Sequence, residues 1–164
     1  ELLVLRRAPE RIAMERNTWF HVALNADQQY IYSMIRMLEP IKEHVDNSFN
    51  PLPQTYIAEY EPVRRGINDL LKQTEDIITT SDFDNYRSVL EKADNMKDLL
   101  SEIRKKHIDR MQGFNDNRLL KISVVYLNLL QESQQLLSNM RHQLRATKKF
   151  LEEGFSSSDL DTED

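Results

Sequence analysis

The placement of helix-breaking residues constrains this chain more than any other feature. It has only 3 glycines and 5 prolines in 164 residues, and all five prolines lie within the first 62. A multistranded β protein of this length would need many turns rich in glycine, proline and asparagine. The shortage of these residues therefore predicts an all-α fold, with residues 63–164 almost entirely helical.

Apolar residues recur every three or four positions through the second half of the chain, which is the pattern of amphipathic helices. The clearest helix covers about residues 116–152. Gly154 is expected just past its end, because glycine readily adopts the left-handed conformation at helix C-termini. A second helical row covers residues 83–111, with Ser81 or Asp82 as its N-cap.

Two further helical segments lie in the first half. One covers residues 57–77 and begins either near Pro53 or at Pro62. The other carries a single apolar row, typical of a helix that packs in a bundle, formed by Ile31, Met34, Leu38, Ile41, Val45 and Phe49. These segments predict an antiparallel bundle of about four long helices over residues 1–153, followed by an acidic tail over residues 154–164.

Charge and composition exclude several classes of protein. The net charge is −5, and four acids of the tail supply most of it, which leaves a nearly neutral body. Such a body lacks the basic face that nucleic-acid binding requires, so we expect no nucleic-acid partner. The absence of cysteine excludes disulfides and thiolate metal sites. No apolar run approaches the roughly 20 residues that span a bilayer.

Catalytic motifs are also missing from the sequence. It has no glycine-rich phosphate loop and no Glu-x-x-His pair of the kind found in di-metal bundles, so we expect no enzyme activity. One acidic stripe stands out, because Glu39, Glu43 and Asp46 share a helix face with His44 close by. Such ligands can hold a divalent cation or iron. The alternative is an ordinary solvated helix face.

The same segment resembles a known family pattern. L-E-P-I-K-E-H at residues 38–44 is similar to the L-E-R-I-G-D-H signature of PhoU-like domains, in which Glu-x-x-x-Asp on the bundle surface can bind metal clusters. Residues 83–111 and 121–150 resemble the cytoplasmic C-terminal domain of bacterial inorganic phosphate transporters of the PiT family. Together with residues 27–53, the resemblance covers most of the chain between positions 27 and 151.

The resemblance carries over to individual positions. Glu39, Glu43 and His44 match the Glu, Asp and His of the family signature. Glu132 matches the glutamate of the second, paired motif, but Leu136 stands where that motif needs an acid. Half of the paired metal motif is therefore present, which suits a single cation better than a multinuclear cluster.

The resemblance implies a PhoU-like bundle that regulates phosphate transport without catalysis, on the cytoplasmic side of the bacterial inner membrane. Its expected partners are a membrane transport domain of the same chain, preceding Glu1, and a second copy in a homodimer. A stand-alone PhoU-like regulator of phosphate uptake or signalling is the first alternative. A purely structural helical interaction module is the second.

Overall fold

The computed structural model describes the backbone of residues 2–46, 51–113 and 116–158, and the side chains of residues 13–46, 51–113 and 116–152. Four helices occupy these ranges: α1 (Leu2–Asp46), α2 (Gln54–Thr80), α3 (Tyr86–Met111) and α4 (Asn117–Ser158). The predicted all-α bundle of four helices, with the first and last the longest, is confirmed. None of the described helices has the length and apolarity needed to cross a membrane.

The order of the helices follows from their contacts. α1 packs along α4, while α2 and α3 pack on each other and on α4. α1 and α4 are antiparallel, since Phe20 meets Phe150 near one end and Met37 meets Ser133 farther along. α4 is therefore the central helix, as its wide apolar surface predicts.

The hydrophobic core lies between α2, α3 and α4. Most of its side chains come from the predicted apolar rows of these three helices, although Val89 on α3 lies outside its predicted row. The largest fully buried apolar side chains are Tyr126, Leu70, Leu100, Leu130, Leu136, Leu137, Met140, Leu144, Val63 and Val89. Burying each such side chain contributes roughly 1.5–3 kcal/mol of transfer free energy. The core-facing sides of α2, α3 and α4 are thus predicted correctly by periodicity.

α1 does not bury the apolar row that its sequence contains. Three members of that row are exposed: Ile31, Leu38 and Val45. Two others, Met34 and Ile41, are half-buried, and Phe49 lies outside the described residues. The side chains fully buried on α1 are instead the small ones of Ala26 and Ser33. Small residues let two helices approach closely enough for hydrogen bonds to form between them, which bulky side chains would prevent.

The structure decides between the two expected starts of α2, near Pro53 or at Pro62. The helix begins at Gln54, directly after Pro53, and continues through Pro62. The earlier of the two expected starts is therefore correct. Proline inside a helix removes one backbone hydrogen bond and costs about 3 kcal/mol, so the packing of the surrounding turns outweighs this loss.

Two other helix ends differ from expectation. Ser81 and Asp82 do not cap α3, because Ser81 ends α2 with φ of 56° and the Asp82 carboxylate accepts a hydrogen bond from the Asp84 amide within the connecting turn. α3 begins only at Tyr86. α4 does not stop at Gly154, since a single glycine costs a helix only about 1 kcal/mol. The first five residues of the predicted tail are therefore helical, and residues 159–164 lie outside the described ranges.

Candidate functional site

The predicted metal-binding residues of α1 lie in its last two turns. Glu39, Glu43 and Asp46 are exposed, whereas His44 is buried. Among the side chains that the structure describes, no group of three or more His, Asp or Glu comes close enough to share a metal ion. A cation site at this stripe therefore stays a prediction, which metal analysis of the purified protein and of its Glu39→Ala variant would test.

Glu132, the fifth predicted ligand, makes an ion pair with α1. Its Oε2 lies 3.3 Å from Nε of Arg36, and its side chain is only 19% exposed. Arginine keeps its charge at every physiological pH, so it holds the carboxylate in place. The structure thus brings Glu132 to α1 but places it in the contact between the two longest helices.

A set of polar contacts joins α1 to α4 next to this ion pair. The Asn139 side-chain amide donates to the Gln29 carbonyl at 3.0 Å and to the Ser33 hydroxyl at 2.7 Å. One turn farther along, the Gln143 amide donates to the Asp27 carboxylate. Hydrogen bonds fix the relative position of two helices more narrowly than apolar contacts, because each needs a specific distance and angle.

The sequence contains a signal for this interface that the apolar rows obscure. Ala26, Ser33 and Pro40 recur every seven residues, and all three are buried or half-buried. A repeat of small side chains at helical spacing indicates close approach of a second helix. The signal is easily missed, since hydrophobic periodicity gives weight to Ile31 and Leu38 and little to alanine or serine.

Three helices meet at Tyr60. Its hydroxyl lies 2.7 Å from the Ser133 hydroxyl, which in turn donates to the Leu129 carbonyl at 2.7 Å. A serine hydroxyl has one proton, so Tyr60 is the donor of the first bond. Both hydroxyls also approach Sδ of Met37 on α1, at 3.9 and 3.8 Å. Burial raises the pKa of Tyr60, so it stays a neutral donor at physiological pH.

His107 lies in the core, on the side of α3 that faces α2 and α4. Its ring is fully buried and meets the rings of Tyr56 and Tyr126 edge to face, with centroids 4.6 and 4.9 Å apart. Burial, followed by the nearby charge of Arg110, lowers the pKa of His107. Within the described residues, neither ring nitrogen has a hydrogen-bond partner of good geometry. The ring acts as a packed aromatic group.

A surface groove of about 490 Å³ lies where α1, α3 and α4 meet. Basic and aromatic side chains line it, and among them Lys148 lies over the Tyr86 ring at 4.6 Å from its centroid. The same ammonium group lies 3.4 Å from a Glu152 carboxylate oxygen. Lys148 therefore packs the junction of α3 and α4, and its charge is partly neutralised within the chain.

The outward side of α1 is the most apolar surface among the described residues, since most of their exposed large apolar side chains lie on this helix. Five of them form a continuous row, which we name the α1 outer stripe: Leu24, Ile31, Ile35, Leu38 and Val45. Three of its members, Ile31, Leu38 and Val45, belong to the apolar row that was expected to pack within the bundle. They are available instead for contacts beyond this chain.

Comparison with known proteins identified no relative. No family model matches the chain, and neither a curated protein nor a solved structure matches it. The resemblance to PhoU-like domains and to phosphate transporters of the PiT family therefore rests on the residues quoted for it and stays a prediction.

Proposed function

We propose that this bundle is the non-catalytic cytoplasmic regulatory domain of a bacterial inorganic phosphate transporter, and that it acts through helix packing and protein contacts. The resemblance of residues 38–44, 83–111 and 121–150 supports the link to phosphate transport. These three segments include the last turns of α1, the whole of α3 and most of α4. The proposal places the domain beside the inner membrane, attached to the transport domain of the same chain.

The regulatory part of the proposal rests on the difference between the two sides of α1. Its inward side meets α4 through small residues and hydrogen bonds, such as those of Ser33 with Asn139. Its outward side exposes the α1 outer stripe. A helix that binds its own domain through polar contacts and offers an apolar side to another protein is suited to change its packing when a partner binds.

The mechanism is a shift between two arrangements of α1 on α4. A partner that prefers one arrangement increases its population, and the shift is limited by the difference in affinity for the two. Small displacements between packed helices are a common form of such a switch. We propose that α1 passes this displacement to the transport domain and so adjusts phosphate uptake.

Deletion of residues 1–164 from the intact transporter is the first test. We expect phosphate uptake to persist, because the bundle takes no part in transport itself, but to lose its adjustment to phosphate supply. The measurement is uptake of labelled phosphate by cells grown in low and high phosphate. Unchanged uptake and unchanged adjustment would contradict the proposal.

A pair of point variants gives a sharper test. Asn139→Ala removes two hydrogen bonds between α4 and α1, whereas Gln134→Ala removes two between α4 and α3, to Lys97 and Ser101. Each variant should lose about 1–2 kcal/mol of stability. Only Asn139→Ala should alter the adjustment of uptake, and equal effects of both variants would argue for a general loss of stability.

The stand-alone regulator differs from this proposal in what the gene encodes. A coding region upstream of Glu1 that contains apolar segments of about 20 residues supports the transporter domain. A start codon close to Glu1 with no such segments would favour the stand-alone PhoU-like regulator instead.

A further inference from the structure

The α1 outer stripe repeats with the spacing of a helix-to-helix seam. Its members Leu24, Ile31, Ile35, Leu38 and Val45 are separated by seven, four, three and seven residues, so all of them fall on one repeat of 3.5 residues when each seven-residue step counts as two. All five are between 45% and 67% exposed. Gln28 and Lys42 occupy the two positions that complete the repeat between Leu24 and Val45.

The stripe lies on the side of α1 that its own bundle does not use. Successive residues of a helix are rotated by about 100°, so Ile31 and Ile35 each lie about 200° from Ser33. Ser33 is fully buried and hydrogen-bonded to α4. The two sides of α1 are therefore opposite, and the packing among the residues that the structure describes leaves every member of the stripe exposed.

A repeat of 3.5 residues indicates what kind of partner fits the stripe. A straight helix has about 3.6 residues per turn, so a row with a 3.5-residue repeat turns slowly around its surface and away from a flat partner. Two helices that coil around each other keep such a row in contact. The stripe covers three such repeats from Leu24 to Val45. The partner is therefore best matched by another helix with the same repeat.

The exposed area is sufficient for association of two copies. The five stripe residues and the neighbouring Tyr32, at the exposed fractions observed, present roughly 600 Å² of apolar surface, the upper end of the patch sizes of ordinary monomers. Two copies would bury about 1,200 Å² in total, which is the lower end of specific, stable interfaces. A modest, concentration-dependent dimer is the expected result.

The charges beside the stripe favour a parallel arrangement. Glu39 and Asp46 each follow a stripe residue directly, and Lys42 lies between them in the seam. In a parallel pair in register, the two Lys42 side chains lie in one layer, where Glu39 and Asp46 of both copies offset their repulsion, and the two Gln28 side chains can hydrogen-bond to each other. In an antiparallel pair centred between Ile31 and Ile35, Lys42 would face Leu24 and keep only the acids of its own helix.

We propose that two copies of this chain associate through the α1 outer stripe as a parallel, two-stranded helical seam. Leu24, Ile31, Leu38 and Val45 each pack against the same residue of the other copy, and Ile35 forms a further apolar layer between them. The inference goes beyond the proposed function and does not depend on it, because it concerns the state of the isolated chain.

Sedimentation equilibrium of the purified chain tests the association. We expect the mass to rise with concentration from 19.4 kDa to twice that value. Ile31→Glu together with Leu38→Glu should weaken association at least tenfold, because four carboxylates would enter the seam. The matched control is Leu99→Glu with Ile108→Glu, which changes two exposed apolar residues of α3 and should leave association unchanged. A monomeric wild type at high micromolar concentration, or an equal loss in the control, would overturn the proposal.

Cross-linking tests the orientation and does not depend on glutamate being tolerated. The chain has no cysteine, so single cysteines at Leu24, Ile31 or Val45 are the only targets of a short bis-maleimide. In a parallel seam each single variant links to itself, whereas Val124→Cys on exposed α4 surface does not. The Ile31 variant links to itself in either orientation and reports association alone. Leu24 and Val45 variants that link only when mixed with each other would establish an antiparallel pair and overturn the proposal. Binding of a monomeric chain to phosphatidylglycerol vesicles would also overturn it, in favour of a lipid surface.

Discussion

The titration of His107 is governed first by its burial and then by the nearby charge of Arg110. Burial between Tyr56 and Tyr126 lowers its pKa below the ordinary value of 6.5. Below pH 6.5 the unfolded chain binds a proton at this residue that the folded chain rejects, so stability is complete above that pH and falls as the pH decreases. The loss is at most about 1.4 kcal/mol per pH unit.

His107→Phe should remove this contribution while keeping an aromatic ring in the core. We expect the free energy of unfolding to fall less between pH 7.5 and pH 5.5 in the variant than in the wild type, as measured by urea denaturation. The matched comparison is His142→Phe, which makes the same replacement at an exposed position of α4. Identical pH dependence of wild type and His107→Phe would show that the ring is freely protonated in the fold.

Ser81 has a backbone conformation that side chains disfavour. It ends α2 with φ of 56° and ψ of 24°, which is the left-handed region. Residues with a Cβ pay about 1–2 kcal/mol there, and glycine does not. Ser81→Gly should therefore stabilise the protein by about 0.5–1 kcal/mol in chemical denaturation.

The control for this substitution lies seven residues farther along the chain, in the next helix. Ser88→Gly introduces the same residue into the regular helix α3 at another exposed site, where it should destabilise by about 0.5 kcal/mol. Opposite signs for the two variants are the expected result. Destabilisation by both would mean that the Ser81 side chain contributes contacts that outweigh its backbone strain.

At the scale of elements, α2 and α3 approach closely where Gly66 faces Met96. A Cβ at position 66 would collide with the terminal methyl group of Met96, which is the mobile end of a flexible side chain. Glycine inside a helix costs about 1 kcal/mol relative to alanine. Gly66→Ala should therefore gain helix stability and lose part of that gain to the displacement of Met96.

A double-mutant cycle separates the two effects. Gly66→Ala should stabilise by about 1 kcal/mol in a Met96→Ala background, where the space is free, and by less in the wild type. The free energies of unfolding of the four proteins give the coupling. Strict additivity would show that Met96 adjusts without cost and that the close approach at Gly66 does not require glycine.

The core-facing sides of α2, α3 and α4 were predictable because each helix has one continuous apolar side and buries it. For α2 the row includes Val63, Ile67 and Leu70, all of which are buried. The same reasoning fails for α1, because this helix has two sides that could pack against another helix. Periodicity identifies the larger side chains of Ile31 and Leu38, whereas the fold selects the face with Ala26 and Ser33.

The candidate metal ligands show a second limit of sequence reasoning. The four-residue spacing of Glu39 and Glu43 places both on one face of α1, and the sequence suffices for that. It does not fix what the neighbouring helix brings to the face. The structure puts Arg36 against Glu132 in that region, and a cation-binding group depends on such partners from other elements.

At the scale of the whole molecule, α1 is attached to the bundle differently from the other helices. Its backbone packs along α4, its fully buried side chains are small, and the apolar side chains that it adds to the core are only half-buried: Tyr30, Met34, Met37 and Ile41. In contrast, α2 and α3 share a large, fully buried apolar core with α4. Regions with little buried apolar area open at lower free energy than the core. α1 should therefore open as a unit before the remaining three helices unfold.

Amide hydrogen exchange measures this opening directly. At low protein concentration, amides of residues 26–44 in α1 should exchange at least tenfold faster than those of residues 63–77 in α2, a difference of about 1.4 kcal/mol in opening free energy. Equal exchange of both helices would mean that the bundle unfolds as a single cooperative unit.

Raising the protein concentration distinguishes the local stability of α1 from association of two copies. If two copies meet along the α1 outer stripe, protection of α1 should increase with concentration while that of α2 stays constant. The increase should vanish when Ile31 and Leu38 are replaced by glutamate, and an increase that survives this replacement would place the association on another surface.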